Sequence, residues 1–430
     1  MSIDLHNAAT FTRRGFLRTG VTLASCAVTA PWFVHSAASV LAQSSGGLSS
    51  VPGVPDERIL VVLQLGGGND GLNTVAPVDM GAYHNARPTI GIRAAEAHRL
   101  DQRQPIGLHP RLAGLKSLYD EGSLSVIQGV GYPNPNRSHF KSMDIWHTAD
   151  TSGVGQGWLG TYFDNQCKGE PNPDPAMGLS IGRKAPLAME GREVRPLTFE
   201  SPELYRRAGA DDGAANNMYA RAIQPSTDLD PSSPAAYLMR TAMDAQLSSA
   251  MIRNAVDRQP ETEFPRSDLG RQLAMVAGMI AAGMRTRVYY VTMSGFDTHA
   301  GQGGTRGAHA NLLGQFGDAL KAFYAELKVQ RSDSRVLTMC FSEFGRRVGQ
   351  NASGGTDHGA AAPMFLAGPM VRAGVLNEHP SLTNLDENGD LKFSIDFRSV
   401  YAGVLEDWLK ADPTATLGSR FRAARVIAKG

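Results

Sequence analysis

Ile59-Leu60-Val61-Val62-Leu63-Gln64-Leu65 is apolar at nearly every position and closes on the turn Gly66-Gly67-Gly68-Asn69-Asp70-Gly71. A strand with one wet face alternates apolar and polar residues, whereas a continuous apolar run of this length needs cover on both faces. Comparable runs recur at Leu124 to Val130, Val288 to Met293, Val336 to Phe341 and Met364 to Ala367, each bounded by a polar or glycine-rich turn. Helical patterns fall between them, at Arg111 to Glu121, Leu269 to Met284, His309 to Val329 and Phe397 to Lys410. Buried strands alternating with helices predict an α/β fold, a mostly parallel sheet with helices on both faces. The stretch from about 150 to 262 breaks the rhythm with many Pro, Asn and Asp residues, so it reads as an insertion or cap, with a helical pattern at Ala235 to Val256 leading back to the sheet.

The 430 residues are 42% hydrophobic, enough for a large core, and 42 Lys and Arg stand against 41 Asp and Glu. With no basic field, nucleic acid is not an expected partner. Ahead of the sheet, Thr12-Arg13-Arg14-Gly15-Phe16-Leu17-Arg18 forms a twin-arginine leader, followed by an apolar stretch to Val34 and small residues ending at Ala42. This predicts a Tat signal over 1–42, a Ser/Gly/Pro linker over 43–55 and a folded domain over 56–430. The expected location is the periplasm or another extracytoplasmic space, reached through the Tat translocase. Leu23-Ala24-Ser25-Cys26 leaves a lipoprotein anchor at Cys26 as a minor alternative. Beyond the leader only Cys167 and Cys340 remain, and Cys340, inside an apolar run, reads as a buried thiol rather than half of a bridge.

Sites in open α/β sheets form beyond the carboxyl ends of the strands. Five such turns carry ligand-type side chains: Gly66 to Gly71 with Asp70, Gly131 to Phe140 with Arg137, Ser138 and His139, Gly295 to His299 with Asp297, Ser342 to Arg346 with Glu343, and Gly354 to Gly359 with Asp357 and His358. A single Asp or Ser there caps a helix as naturally as it binds a ligand. Several carboxylates and imidazoles at one sheet edge need a cation or a polar network between them. Convergence of Asp70, Asp297, His299, Glu343 and His358 on one pocket is therefore expected, around a divalent metal: zinc, magnesium, manganese or calcium. Gly66-x-Gly68-x-x-Gly71 also spells a dinucleotide fingerprint, but Asn69 and Asp70 would meet the pyrophosphate, and Pro77 leaves no room for a long helix.

The leader, Leu65-Gly66-Gly67-Gly68-Asn69-Asp70-Gly71-Leu72-Asn73-Thr74, Gly131-Tyr132-Pro133-Asn134-Pro135-Asn136-Arg137-Ser138-His139-Phe140, Gly295-Phe296-Asp297-Thr298-His299, Phe341-Ser342-Glu343-Phe344-Gly345-Arg346 and Thr356-Asp357-His358-Gly359 together resemble the domain-of-unknown-function family 1501. That resemblance implies an alkaline phosphatase-like and sulfatase-like fold built around metal. Laid over this chain, it implies metal ligands at Asp70, Asp297, His299, Glu343, Asp357 and His358, and a nucleophile at Ser138 with His139 beside it. Glu343 stands where the superfamily has Asp, and Phe344 where it has a His ligand. The leading expectation is an exported metal-dependent hydrolase of phosphate or sulfate esters, with a small-molecule or cell-envelope substrate and Arg137 or Arg346 neutralising developing charge. The alternatives are an exported binding protein that keeps a degenerate metal site, and an oxidoreductase holding a nucleotide at the glycine turn.

Overall fold

The computed structural model describes residues 58–100, 105–169, 175–194, 196–200, 252, 255 and 258–428. The Tat signal, the linker, Cys26 and most of the Ala235 to Val256 helix lie outside the described residues. Among the described residues no helix is long and apolar enough to cross a membrane.

The first long strand is β1 (Ile59–Gly66), the short strands are β2 (Val75–Ala76), β3 (His98–Arg99) and β4 (Gly107–Leu108), and the second long strand is β5 (Leu124–Gly131). After them come β6 (Gly178–Ile181), β7 (Leu197–Phe199), β8 (Val288–Ser294), β9 (Val336–Phe341), β10 (Ala362–Ala367), β11 (Gly374–Leu376) and β12 (Ile395–Asp396). The main sheet has the order β11-β5-β10-β9-β1-β8-β6-β7, with β12 also on β5, while β2, β4 and β3 form a small antiparallel sheet. β1 sits centrally and is parallel to both neighbours, in a register that sets Gly66 opposite Ser294 and Gln64 opposite Phe341. β10 alone runs against its neighbours, β9 and β5. The mostly parallel α/β sheet is thus the observed class.

Both faces of β1 are buried because both are covered. Val61, Leu63 and Leu65 pack with Leu273 and Val276 of the helix Asp268–Ala281 and with Leu313, Phe316 and Phe323 of the helix Ala308–Val329. Leu60 and Val62 share the opposite layer with Trp146, Trp158 and Tyr401, from the helices His139–Thr148, Trp158–Gln166 and Phe397–Gly403. The rings there stack, Trp146 on Phe397 at 4.3 Å and Trp158 on Tyr401 at 4.2 Å. Burial of this many apolar side chains at roughly 1.5–3 kcal/mol each is what closes the sheet from both sides. Cys340 is buried in the first layer, where the absence of water pushes its thiol pKa up.

Within 150–262, β6 and β7 extend the sheet beyond β8 as a parallel edge pair. Strands of four and three residues leave no apolar run for a sequence to display, so this stretch reads as irregular until the neighbours that pair with it are known. Residues 201–251, the larger part of the expected insertion, lie outside the described residues.

Candidate metal centre

The turn after β1 is where the loops of the sheet edge meet. Gly67 and Gly68 hold φ of 115° and 68°, backbone that side chains seldom adopt. A Cβ on Gly67 would lie 2.5 Å from the Asp297 nitrogen, and one on Gly68 would lie 2.3 Å from the Phe344 ring. The close approach lets Gly67 N–H donate to Glu343 Oε1 at 2.9 Å and Asn69 N–H to Ser342 Oγ at 2.9 Å. Arg346, fully buried, donates to the carbonyls of Gly68 (2.6 Å), Thr356 (2.7 Å), Phe296 (3.1 Å) and Gly67, and to Asp297 Oδ1 (2.8 Å). One guanidinium thus joins the loops after β1, β8 and β9 to the loop before β10.

On this frame His139, Asp297 and His358 each bring one ligand atom, all within 4.8 Å of one another. Asp297 Oδ1 lies 3.4 Å from His139 Nε2, 3.3 Å from His358 Nε2 and 3.1 Å from His299 Nε2. The opposite nitrogen of each ring is committed elsewhere. His139 Nδ1 meets Glu343 Oε1 at 2.8 Å, His358 Nδ1 meets the Arg137 carbonyl at 2.7 Å, and His299 Nδ1 meets Asp357 Oδ1 at 3.2 Å. Those partners are acceptors, so Nδ1 carries the proton and Nε2 keeps its lone pair toward the cluster. Burial holds the pKa of His358 below the usual imidazole range, which keeps that lone pair free. Partial burial works to raise the pKa of Asp297, but the hydrogen bond and the charge of Arg346 work against it, and the carboxyl is held below the ordinary 3.8.

His299 Nε2 and His358 Nε2 stand 2.8 Å apart. Two lone pairs at that separation repel unless a proton or a cation lies between them. His139, His358 and Asp297, with each ring fixed through its far nitrogen, form a donor set that suits a first-row metal ion, and His299 Nε2 lies against Asp297 and His358 as a further donor. Phe344 walls the cluster, its ring centroid 4.8 Å from that of His139 and 4.7 Å from that of His358.

Asp297, His299 and His358 are therefore brought together as expected, and His139, expected beside the nucleophile, joins them in ligand position. Three expected ligands stand outside the ring of nitrogens. Asp70 is fully buried with Arg87 Nη1 and Gln302 Nε2 each 2.6 Å from its Oδ2. Glu343 spends Oε1 on Gly67 and His139 and Oε2 on Ser342, which makes it the orienter of a ligand. Asp357 does the same for His299, and is held in turn by Asn351 Nδ2 at 3.0 Å. Arg346 is a strut between loops, bonded to protein oxygens and with no exposed side-chain surface, so it is out of a substrate's reach. Nothing in the sequence marks Arg87, Gln302 or Asn351 as partners, because each reaches its carboxylate through the fold.

Ser138 occupies the N-cap position of the helix His139–Thr148, yet its side chain makes no capping bond and is exposed. Its flanking residues both touch the cluster, Arg137 through its carbonyl and His139 through its ring. The Gly66 to Gly71 turn, filled by Phe344 and the Asp297 backbone, leaves no cradle for a pyrophosphate. His147, on the same helix, belongs to a separate buried network with Gln64 and Tyr290, each at 3.1 Å, where loss of water lowers its pKa to about 4.

The family model described as Protein of unknown function (DUF1501) matches residues 124–411. Among solved structures the chain is similar to the phosphonate monoester hydrolase SpPMH from Silicibacter pomeroyi, at 11% identity and a TM-score of 0.36, over 86% of this chain and 78% of that one. It is also similar to Ps i-CgsB crystallised in complex with k-i-k-neocarrahexaose, at 10% identity and a TM-score of 0.33, over 85% of this chain and 72% of that one. No curated protein matches the sequence.

Proposed function

We propose that this chain, which belongs to the DUF1501 family of proteins of unknown function, is an exported metal-dependent hydrolase of phosphate or sulfate esters. The observation that carries this reading is the meeting of His139, His299 and His358 Nε2 with Asp297 Oδ1, with Ser138, exposed and without a capping bond, next to His139 in the chain. The Arg13-Arg14 leader supports export to the periplasm. A nitrogen-rich donor set favours zinc, and manganese less; magnesium and calcium prefer sites built of oxygen.

An ion held by His139, His358 and Asp297, with His299 beside them, would supply Lewis acidity toward the non-bridging ester oxygens. Ser138 Oγ attacks phosphorus or sulfur, forming a serine ester as the P–O or S–O bond to the alcohol breaks and the alcohol oxygen leaves with a proton. Water then cleaves that serine ester and releases phosphate or sulfate. Arg137, next in the chain and one-third exposed, adds positive charge to the flank of the site. Arg346, Glu343 and Asp357 hold the ligands still and touch no substrate.

One feature favours a second reading. His299, added to His139, Asp297 and His358, would make four protein donors, enough to fill a tetrahedral zinc, which is the mark of a structural site, so an exported binding protein with a structural ion is the competitor. Turnover of 4-nitrophenyl phosphate and 4-nitrophenyl sulfate by the zinc-loaded protein separates the two. The hydrolase reading expects turnover in the parent, and expects Ser138→Ala to abolish it while one metal per chain remains bound. A parent inactive on both esters, or an alanine variant at the parent rate, goes against it.

A further inference from the structure

A buried carboxylate stands beneath two arginines at the flank of the cluster. Asp390 has 1% side-chain exposure, its Oδ2 is 3.6 Å from Arg137 Nε, and its Oδ1 is 3.7 Å from Arg347 Nε. Neither oxygen accepts a hydrogen bond among the described residues. Contacts of that length are charge compensation rather than hydrogen bonds, and a carboxylate withdrawn from water without donors is kept only where charge nearby holds it. Neither guanidinium is held by a short hydrogen bond among the described residues. Asp390 is the described partner of the Arg137 side chain, and Arg347 adds only a 3.5 Å reach to the Asn388 carbonyl. Both remain open to solvent, at 33% and 43%.

The backbone ties this pair to the metal ligands. The Arg137 carbonyl receives His358 Nδ1–H, and Arg347 N–H donates to the carbonyl of Asp357, the residue before His358. Arg137 and Arg347 stand over Asp390, with Asp386 and Asp357 as the other carboxylates in electrostatic reach, and their partly exposed planar donor forks are able to take an oxyanion.

Resting on the hydrolase reading, the geometry points to Arg137 and Arg347, held by Asp390, as a subsite for a second anionic group on the substrate. The scissile phosphoryl or sulfuryl group would lie at the His139, Asp297 and His358 cluster and Ser138; a further carboxylate, sulfate or phosphate on the same molecule takes the arginines. Asp390 acts through them and is a positioning residue. The substrate class is then an ester carrying at least two acidic groups.

Direct binding tests this without turnover. The zinc-loaded protein is titrated calorimetrically with inorganic phosphate, and with phosphonoacetate and 4-phosphonobutyrate, which add a carboxylate at two reaches. The better of the two phosphonates is expected to bind about tenfold tighter than phosphate, the value of one charge-assisted hydrogen bond. Arg347→Ala, on a half-exposed side chain, and Asp390→Asn are each expected to erase that advantage and to leave phosphate affinity within about twofold. Equal binding of all three anions by the parent, or an advantage that survives Arg347→Ala, overturns the subsite. A parent that turns over aryl esters without this preference keeps the hydrolase reading and loses the subsite, whereas an inactive parent that shows it keeps the two-anion site and loses the hydrolase.

Discussion

The carboxylate of Asp70 meets Arg87 where neither side chain has any exposed surface. Removing one member of such a pair strands the other charge in the interior, so Asp70→Asn is expected to cost about 3–5 kcal/mol in denaturant unfolding. Metal stoichiometry should be unchanged, and loss of the metal in that variant would return Asp70 to the ligand set. The pH dependence follows from the direction of its shift. Burial works to raise the pKa of Asp70, but Arg87, His309 and Gln302 together hold it below the ordinary 3.8. A depressed folded pKa contributes stability that is fully present above 3.8 and is lost as pH falls through the lowered value. The gap between parent and Asp70→Asn should therefore be widest near neutral pH and narrow as the solution is acidified below 3.8. Ser138 is the opposite case. With no capping bond to lose, Ser138→Ala should change unfolding free energy by less than about 0.5 kcal/mol, against about 1 kcal/mol for a working cap.

Several elements work as pairs. The turn after β9 brings Glu343 under the first residue of the helix His139–Thr148, so a strand end from one part of the chain fixes a ligand that belongs to another. Glu343→Gln keeps the size and removes the charge behind His139 Nδ1–H. Zinc affinity, measured by competition with a chromophoric chelator, is expected to fall 10- to 100-fold; an unchanged affinity would mean that His139 is not a ligand. The glycine turn and Phe344 form a second pair. Gly68→Ala places a methyl group where the Phe344 ring lies and imposes φ of 68° on an alanine. A loss of metal affinity at least as large as that of Glu343→Gln is expected, because Phe344 supports the rings of both His139 and His358. β10 explains how a loop that precedes its strand reaches the site. It runs antiparallel to β9 and β5, so its leading loop, with Asp357 and His358, lies at the edge where the parallel strands end.

For the whole molecule, the cluster ties the end of β8, the loop before β10 and the helix that follows β5 to one point, and Arg346 adds the loops after β1 and β9. An ion bound there stabilises the folded chain by mass action, about 2.7 kcal/mol at a free concentration one hundred times the dissociation constant. Stripping with a chelator is expected to lower the melting temperature, and stoichiometric zinc to restore it. A melting curve indifferent to both would argue against an ion at this site.

The sequence by itself determined the sheet. Apolar runs such as Ile59 to Leu65 and Val336 to Phe341 can be buried only between two layers, and ligand-type residues at their ends fall at one edge whatever the details of packing. It also marked Asp297, His299 and His358, because carboxylates and imidazoles gathered in turns at one sheet edge need a cation or a polar network between them. Only the tertiary structure decided which acidic residues bind and which support. Asp70, Glu343 and Asp357 look alike in sequence; their roles are assigned by Arg87, His139 and His299, which lie 17, 204 and 58 positions away. The same holds for Asp390 beneath Arg137 and Arg347, and for β6 and β7, too short to bury an apolar run of their own. A carboxylate takes its function from the charge or proton donor placed against it, and that placement is a property of the packed chain.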